Sequence, residues 1–129
     1  MYVVTDTHPW VWFLTASPNL SNKSKSALSD PSNIIIIPSI VMMEIRYLYE
    51  KKRIKLTFEK VLIQVETAEN ILLYPLDISV VTNSPINLDI HDAIIVGTAI
   101  QAAKEFGQKV LLITKDKDIM EADIVPVMW

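Results

Sequence analysis

The chain has 129 residues, half of them hydrophobic, a net charge of −3 and no cysteine. This length and composition suit a single domain over residues 1–129 with a substantial core, and they exclude a disordered or low-complexity chain. The lack of cysteine excludes disulfides and thiolate zinc sites and fits a reducing cytoplasm. The negative net charge argues against a protein that coats nucleic acid by bulk electrostatics.

The longest apolar runs are too short to cross a bilayer. They cover residues 34–43, where Pro38 interrupts the run, and residues 93–100. The first residues lack the basic segment and apolar run of a signal peptide. We therefore expect a cytoplasmic protein that does not enter a membrane.

The first half of the chain predicts two buried strands, each followed by a helix. Met1–Thr5 is rich in strand formers and ends at Asp6. Pro9 is expected to open a helix, in the first-turn position that proline favours. Ile34–Ile37 is a run of four isoleucines, typical of a strand buried on both faces. Ser39 is expected to cap the helix that follows.

The middle of the chain continues the alternation of helices and strands. Thr57 is expected to cap an amphipathic helix, and Ile71–Tyr74 is a predicted strand. Asp77 is expected to cap a short helix before a turn.

The longest helical pattern runs from Asn87 to Ala103, with Asp89 as its expected N-cap and Gly107 as its left-handed C-cap. Two more predicted strands follow, Val110–Thr114 and Ile124–Met128. Strands that alternate with helices favour right-handed crossovers and a parallel sheet. We therefore predict an α/β fold, a three-layer sandwich with a mostly parallel central sheet flanked by helices.

Four acidic residues stand in unusual positions. Asp6 and Asp116 directly follow predicted strands, so both should lie at the carboxyl edge of the sheet, where ligands bind. Glu44 and Asp92 interrupt the apolar stripes of their helices. Asp92 either meets a cation there or completes a cap at the positive end of the helix. Glu44 either faces the same site or packs its stem and sends its carboxylate to solvent.

Four carboxylates brought together repel one another unless a positive charge lies between them. An all-oxygen, cysteine-free cluster is what Mg²⁺ or Mn²⁺ prefers. Such a site suits hydrolysis of a phosphodiester bond. The sequence has no glycine-rich phosphate loop, which excludes the common nucleotide-binding motifs.

The chain resembles the PIN domain family, and within it the VapC-type toxins of toxin–antitoxin pairs. The residues that carry the resemblance form an ordered set along nearly the whole chain: Thr5–His8, Glu44 within Ser39–Ile45, Ile90–Ala99, Leu112–Asp116 and Val125–Trp129. The resemblance implies a PIN-like fold and a metal-dependent endoribonuclease, with Mg²⁺ or Mn²⁺ as its cofactor. It further implies a homodimer that a small antitoxin protein silences.

By the same resemblance, Asp6, Glu44, Asp92 and Asp116 form the acidic quartet that holds the metal, and Thr114 holds the carboxylates by hydrogen bonding. Asp118 is interpreted as a cap or turn residue, and His91 as a solvent-facing residue of a first helical turn. A basic cluster is expected either to contact the RNA backbone or to be a solvated helix end; its candidate contacts are Arg46, Lys51, Lys52 and Arg53.

Two other classes of function are alternatives. A catalytically silent PIN-like protein-interaction module is the main alternative, although such a protein would be expected to have lost some of the four acids. A receiver domain or a haloacid-dehalogenase-like phosphatase would need further acids next to the first strand. This chain has only Asp6 there, followed by Thr7 and His8.

Overall fold

The computed structural model describes residues 1–129 and contains five strands and seven helices. The strands are β1 (Tyr2–Thr5), β2 (Ile34–Pro38), β3 (Ile71–Tyr74), β4 (Val110–Ile113) and β5 (Val127–Met128). The helices are α1 (Thr7–Leu14), α2 (Asn22–Ser29), α3 (Ser39–Glu50), α4 (Phe58–Thr67), α5 (Ile78–Asn83), α6 (Ile90–Phe106) and α7 (Lys117–Ala122).

All the strands are parallel, in the order β3-β2-β1-β4-β5. The chain moves outward in one direction from β1 to β3 and then returns to build β4 and β5 on the other side of β1. With right-handed crossovers, this reversal covers both faces of the sheet with helices. The predicted α/β sandwich is confirmed. The reversal also leaves a crevice between the carboxyl ends of β1 and β4, the place where open α/β sheets bind ligands.

The core lies in the middle of the sheet. The central residues of β1, β2 and β4 are at most 1% exposed: Val3, Val4, Ile35, Ile36, Ile37, Leu112 and Ile113. Strands covered on both faces need apolar side chains in succession rather than in alternation, which explains the run of isoleucines. The core therefore supports the strand ends rigidly.

The helix boundaries correct several expectations. Helix α1 begins at Thr7, earlier than expected, because the Asp6 carboxylate caps it. Ser39 does not cap α3; its hydroxyl instead accepts a hydrogen bond from the backbone N–H of Leu76, 2.9 Å away. Asp89 is the N-cap residue of α6, but its side chain makes no capping hydrogen bond. The last strand is shorter than predicted, and the sequence did not predict α7.

The other capping predictions are confirmed. Thr57 and Asp77 accept hydrogen bonds from the first turns of α4 and α5. Gly107 ends α6 with φ 61°, a left-handed conformation that glycine adopts without steric cost. None of the helices is both long enough and apolar enough to cross a membrane.

Gly97 brings α6 against the preceding helix. A Cβ atom at this position would lie 2.2 Å from Ser84 Oγ and 2.9 Å from the Val80 carbonyl oxygen. Such distances are shorter than any ordinary contact, so only glycine allows α5 and the turn after it to pack this closely on α6.

Candidate metal centre

Asp6 is fixed at the carboxyl edge from two directions. One carboxylate oxygen accepts the backbone N–H of Thr7 at 2.7 Å, and the other accepts the Thr114 hydroxyl at 2.7 Å. The parallel register places Thr5 beside Ile113, so Asp6 and Thr114 stand level on neighbouring strands. Because Thr114 is completely buried, its hydroxyl has little freedom to turn away. The Asp6 carboxylate is thus held in one orientation.

The segment after β4 supplies two further acids. Asp116 caps α7, accepting the backbone N–H of Ile119 at 3.0 Å, while its own N–H donates to Thr114 Oγ1 at 3.0 Å. Asp118 lies in the first turn of the same helix. A cap or turn role was expected for Asp118, but Asp116 is the residue that caps α7. Asp118 has an exposed carboxylate near the edge of the sheet.

Asp92 reaches this edge from the first turn of α6. Oxygen atoms of Asp92, Asp116 and Asp118 all lie within 4.8 Å of one another, close enough for one ion to bind all three. Asp6 and Glu44 lie outside this closest group, although their charges act on Asp92.

Glu44 stands on α3, near enough to Asp6 for the charge of Asp6 to act on it. Its Oε1 accepts the hydroxyl of the buried Thr7 at 3.0 Å, and its Oε2 lies 3.8 Å from Nδ1 of His91. The carboxylate therefore points toward the site rather than away from the protein. His91 is half-exposed, as expected for a first-turn residue, but it also contacts Glu44.

The acids carry a charge that no lysine or arginine offsets at short range. The His91–Glu44 contact is the one approach within 4.0 Å between a basic and an acidic side chain. Burial raises the pKa of Asp6 above its ordinary value, although the hydrogen bonds from Thr114 and Thr7 oppose this shift. Burial likewise raises the pKa of Glu44. Burial and the nearby charges of Asp116 and Asp6 raise the pKa of Asp92 to about 6.

These residues fit a divalent cation. The donors are all carboxylate oxygens, the set that Mg²⁺ and Mn²⁺ prefer, and burial together with the neighbouring negative charges raises the pKa of Asp92. A cation among them would stabilise the ionised forms that burial and repulsion disfavour. The sequence left open whether Asp92 and Glu44 face a shared site or serve as a helix cap and a solvent-facing residue. In the structure both carboxylates face the site.

The sequence profile of the PIN domain matches residues 3–125. The chain belongs to the PIN domain family. PIN domains are generally nucleases, and they typically use divalent metals. Among curated protein sequences, none matches this chain.

The PIN fold is also seen in a similar solved structure. A chain in the crystal structure of VapBC2 from Rickettsia felis, bound to a DNA fragment from their promoter, superposes with a TM-score of 0.68. The two chains are 16% identical, and the alignment covers 99% of this chain and 98% of the other. At this identity the likeness shows a shared fold.

The structure brings the predicted quartet of Asp6, Glu44, Asp92 and Asp116 to one edge, with Thr114 beneath it. Sequence reasoning missed two side chains there, Asp118 and Thr7. The placement of Asp118 depended on a short helix hidden in the charged run 115–118, and Thr7 could be recognised only from its distance to Glu44. The basic candidates are all exposed: Arg46 lies within α3, whereas Lys51, Lys52 and Arg53 follow its end, and Arg53 lines a cavity together with Glu44.

Proposed function

We propose that this PIN domain is a divalent-metal-dependent endoribonuclease, working in the cytoplasm as the toxin of a VapBC-type toxin–antitoxin pair. The observation that carries the proposal is the convergence of five carboxylates at the crevice between β1 and β4 with no lysine or arginine to neutralise them. RNA is the substrate class because the ordered motifs of the chain resemble those of the VapC-type nucleases.

We expect the carboxylates to have two roles. Asp6 and Asp92, with Asp116, would hold Mg²⁺ or Mn²⁺, while Glu44 would hold or orient water beside it. A bound divalent cation supplies a Lewis acid that lowers the pKa of water and offsets charge on the phosphodiester. Thr114 keeps one Asp6 oxygen in place and also accepts the N–H of Asp116, so it couples the two acids.

Asp118 is an additional candidate ligand. Its oxygen belongs to the closest group with Asp92 and Asp116, although it is the most exposed of the three. We expect Asp118→Asn to weaken metal binding less than Asp92→Asn does, because an exposed carboxylate gains less from a nearby cation.

The decisive experiment is cleavage of mixed cellular RNA by purified protein with Mg²⁺, with Mn²⁺ and with EDTA. We expect cutting in both metals, none in EDTA, and none for Asp6→Asn or Asp92→Asn. The matched control is Asp30→Asn, since Asp30 lies just before β2 at the opposite edge of the sheet. This control should cut like the wild type.

If wild type and variants gave the same trace in Mg²⁺, the nuclease assignment would be wrong. The chain would then be better described as a catalytically silent PIN-like protein-interaction module. The toxin assignment has a separate test: induced expression should arrest bacterial growth, and co-expression of a small DNA-binding protein encoded beside the gene should relieve the arrest. Asp92→Asn should not arrest growth.

We also propose that the protein is a homodimer formed through the surface around the start of α6. An apolar cavity of about 360 Å³ lies there, lined by Leu76, Val81, Pro85, Leu88 and Ile90 among others. Ile86, which also lines this cavity, is completely exposed. A fully exposed isoleucine beside an apolar cavity is self-complementary in a twofold dimer, because each copy can fill the cavity of the other.

Light scattering measures this state directly. Ile86→Asp should reduce the mass from that of a dimer to that of a monomer, since a charge in an apolar interface is costly. Ile63→Asp is the control, because Ile63 is 60% exposed on α4 and lines none of this cavity. A wild-type monomer, or a dimer unchanged by Ile86→Asp, would contradict the proposal.

A further inference from the structure

A second cavity adjoins the acidic edge. Its volume is about 440 Å³, and Glu44 and His91 form part of its wall, so it opens beside the same carboxylates. The rest of its lining includes His8, Tyr47 and Arg53, with Met43 among the apolar residues. Hydrogen-bond donors, an aromatic ring and a guanidinium thus surround one space next to the candidate metal centre.

Positive charge is concentrated on this side of an otherwise acidic protein. Five of the 12 lysine and arginine residues fall between positions 46 and 55, namely Arg46, Lys51, Lys52, Arg53 and Lys55. A polyanion that reaches the acids must cross a region of negative potential, so a basic approach on one flank determines the side from which it enters. The cavity lies between these two regions.

The end of α3 turns Arg53 back toward the cavity. Lys52 has φ 56°, a left-handed conformation that non-glycine residues rarely adopt. This turn lets the Arg53 N–H donate to the Leu48 carbonyl at 2.9 Å, which reverses the chain along α3. Arg53, just beyond the end of α3, therefore lines the cavity together with Tyr47 of α3, instead of pointing away from the cavity.

Tyr47 offers a surface for stacking. Its side chain is 52% exposed, and the Lys51 ammonium lies 5.4 Å from the centroid of its ring. Lys51 does not line the cavity, so it does not cover the part of the Tyr47 ring that faces the cavity. An exposed aromatic ring beside a guanidinium is the combination with which proteins bind an unpaired base and its phosphate.

We propose that this cavity binds one unpaired nucleotide next to the scissile phosphate, with Tyr47 stacking on the base and Arg53 contacting the backbone phosphate. The inference rests on the proposed nuclease function and deepens it: the substrate is single-stranded at this position. A base paired in a duplex cannot present its face to Tyr47, so duplex RNA cannot use the site.

The chain supplies matched controls within the same segment. Tyr49 and Lys55 line a different cavity, at the end of α3, together with Glu50, Lys52 and Ile54. Tyr49 is 40% exposed, close to the value for Tyr47. Tyr49→Ala and Lys55→Gln therefore remove the same kinds of side chain from the same region without touching the proposed site.

The test is binding of a fluorescein-labelled, random-sequence 12-nucleotide RNA, followed by anisotropy in Mg²⁺. Every protein carries Asp6→Asn, so that no RNA is cut during the measurement. Tyr47→Ala should raise Kd roughly 5- to 150-fold, the range for loss of one stacked base. Arg53→Gln should weaken binding and reduce the slope of log K against log salt by about 0.7. Tyr49→Ala and Lys55→Gln should each leave the Kd within about twofold.

A duplex of matched length should bind equally well to the Asp6→Asn protein with and without Tyr47→Ala. The proposal would be overturned if the RNA did not bind, if Tyr47→Ala and Tyr49→Ala had the same Kd, or if the duplex lost as much affinity as the single strand. In the last two cases the cavity would serve another partner, such as a protein segment. Because binding is measured without cleavage, a failure of the nuclease proposal is read separately, from the cleavage assay.

Discussion

The middle of the sheet and its carboxyl edge are built from the same strands but obey opposite rules. In the middle, β1, β2 and β4 present apolar side chains, nearly all of them out of contact with solvent. A few residues further along the same strands, carboxylates gather, and burial together with the nearby negative charges raises the pKa values of Asp6 and Asp92. The interior maximises stability, whereas the edge gives up stability to keep negative charges together. This contrast indicates that the edge has been shaped by a function.

The largest expected effect is in the interior. Ile36 is completely buried in β2 between two neighbouring strands. Ile36→Ala should lower the free energy of unfolding by about 2–5 kcal/mol, because the cavity left by the side chain cannot collapse inside a rigid sheet. Urea unfolding checks this, with Ile36→Val as the control at about 0.5–1.5 kcal/mol. Equal losses for both substitutions would mean that the sheet repacks around the site.

An intermediate effect is expected where the two regions meet. Thr114→Val keeps the buried shape but removes the hydroxyl that donates to Asp6 and accepts from Asp116. We expect a roughly 10- to 100-fold loss in Mg²⁺ affinity, the usual effect of removing such a supporting hydrogen bond. Titration of cleavage with Mg²⁺, and calorimetric binding of Mn²⁺, measure it. Thr114→Ser keeps the hydroxyl and should recover most of the affinity; no recovery would point to packing instead.

The smallest expected effect concerns the acidic edge alone, and it is a gain rather than a loss in the free energy of unfolding. The folded protein raises the pKa of Asp92 from 3.8 to about 6, so it favours the protonated acid. The stability that protonated Asp92 contributes to the folded state is fully present below pH 3.8 and is lost as the pH rises through about 6. In EDTA at pH 7, Asp92→Asn should therefore raise the free energy of unfolding, by about 1 kcal/mol once solvent screening of this partly exposed group is allowed for.

The pH and the metal both change that outcome. Near pH 4 the gain from Asp92→Asn should disappear, and in Mg²⁺ at pH 7 it should reverse, because an ion that binds the folded state stabilises the wild type. Asp30→Asn provides a control of opposite sign, since hydrogen bonds from Ser32 lower the pKa of Asp30. Thermal unfolding in EDTA and in Mg²⁺ tests both. An Asp92→Asn protein less stable than wild type in EDTA at pH 7 would contradict the expected repulsion at this edge.

The contrast between the two regions also explains what the sequence could predict. Runs such as Ile34–Ile37 predict strands, and parallel strands bring their carboxyl ends together, so the meeting of Asp6 and Asp116 follows from sequence order alone. Asp118 could not be placed, because its position depends on a helix of six residues with no apolar periodicity. Ser39 was wrongly expected to cap α3. Its hydroxyl instead accepts a hydrogen bond from the backbone N–H of Leu76, 37 residues away.

Contacts between helices from different crossovers could not be predicted from the sequence either. The hydrogen bond from Thr7 to Glu44 depends on how α1 and α3 pack, which no local pattern specifies. The cavity beside Glu44 depends further on the turn at Lys52, where a left-handed residue that is not glycine reverses the chain. Local propensities thus predicted the elements and the edge at which the acids gather, whereas the partners of individual side chains came from tertiary packing.

The hydrogen bond between Thr114 and Asp6 has a consequence for biosynthesis. It joins residues 108 positions apart, and β1 takes its place in the sheet between β2 and the late strand β4. Such long-range pairing folds slowly, and a nascent chain that lacks β4 contains neither Asp116 nor the support for Asp6. The acidic edge therefore assembles only after β4 and the segment that follows it have been translated. A ribosome that makes this protein is not exposed to its candidate active site before that segment has been made.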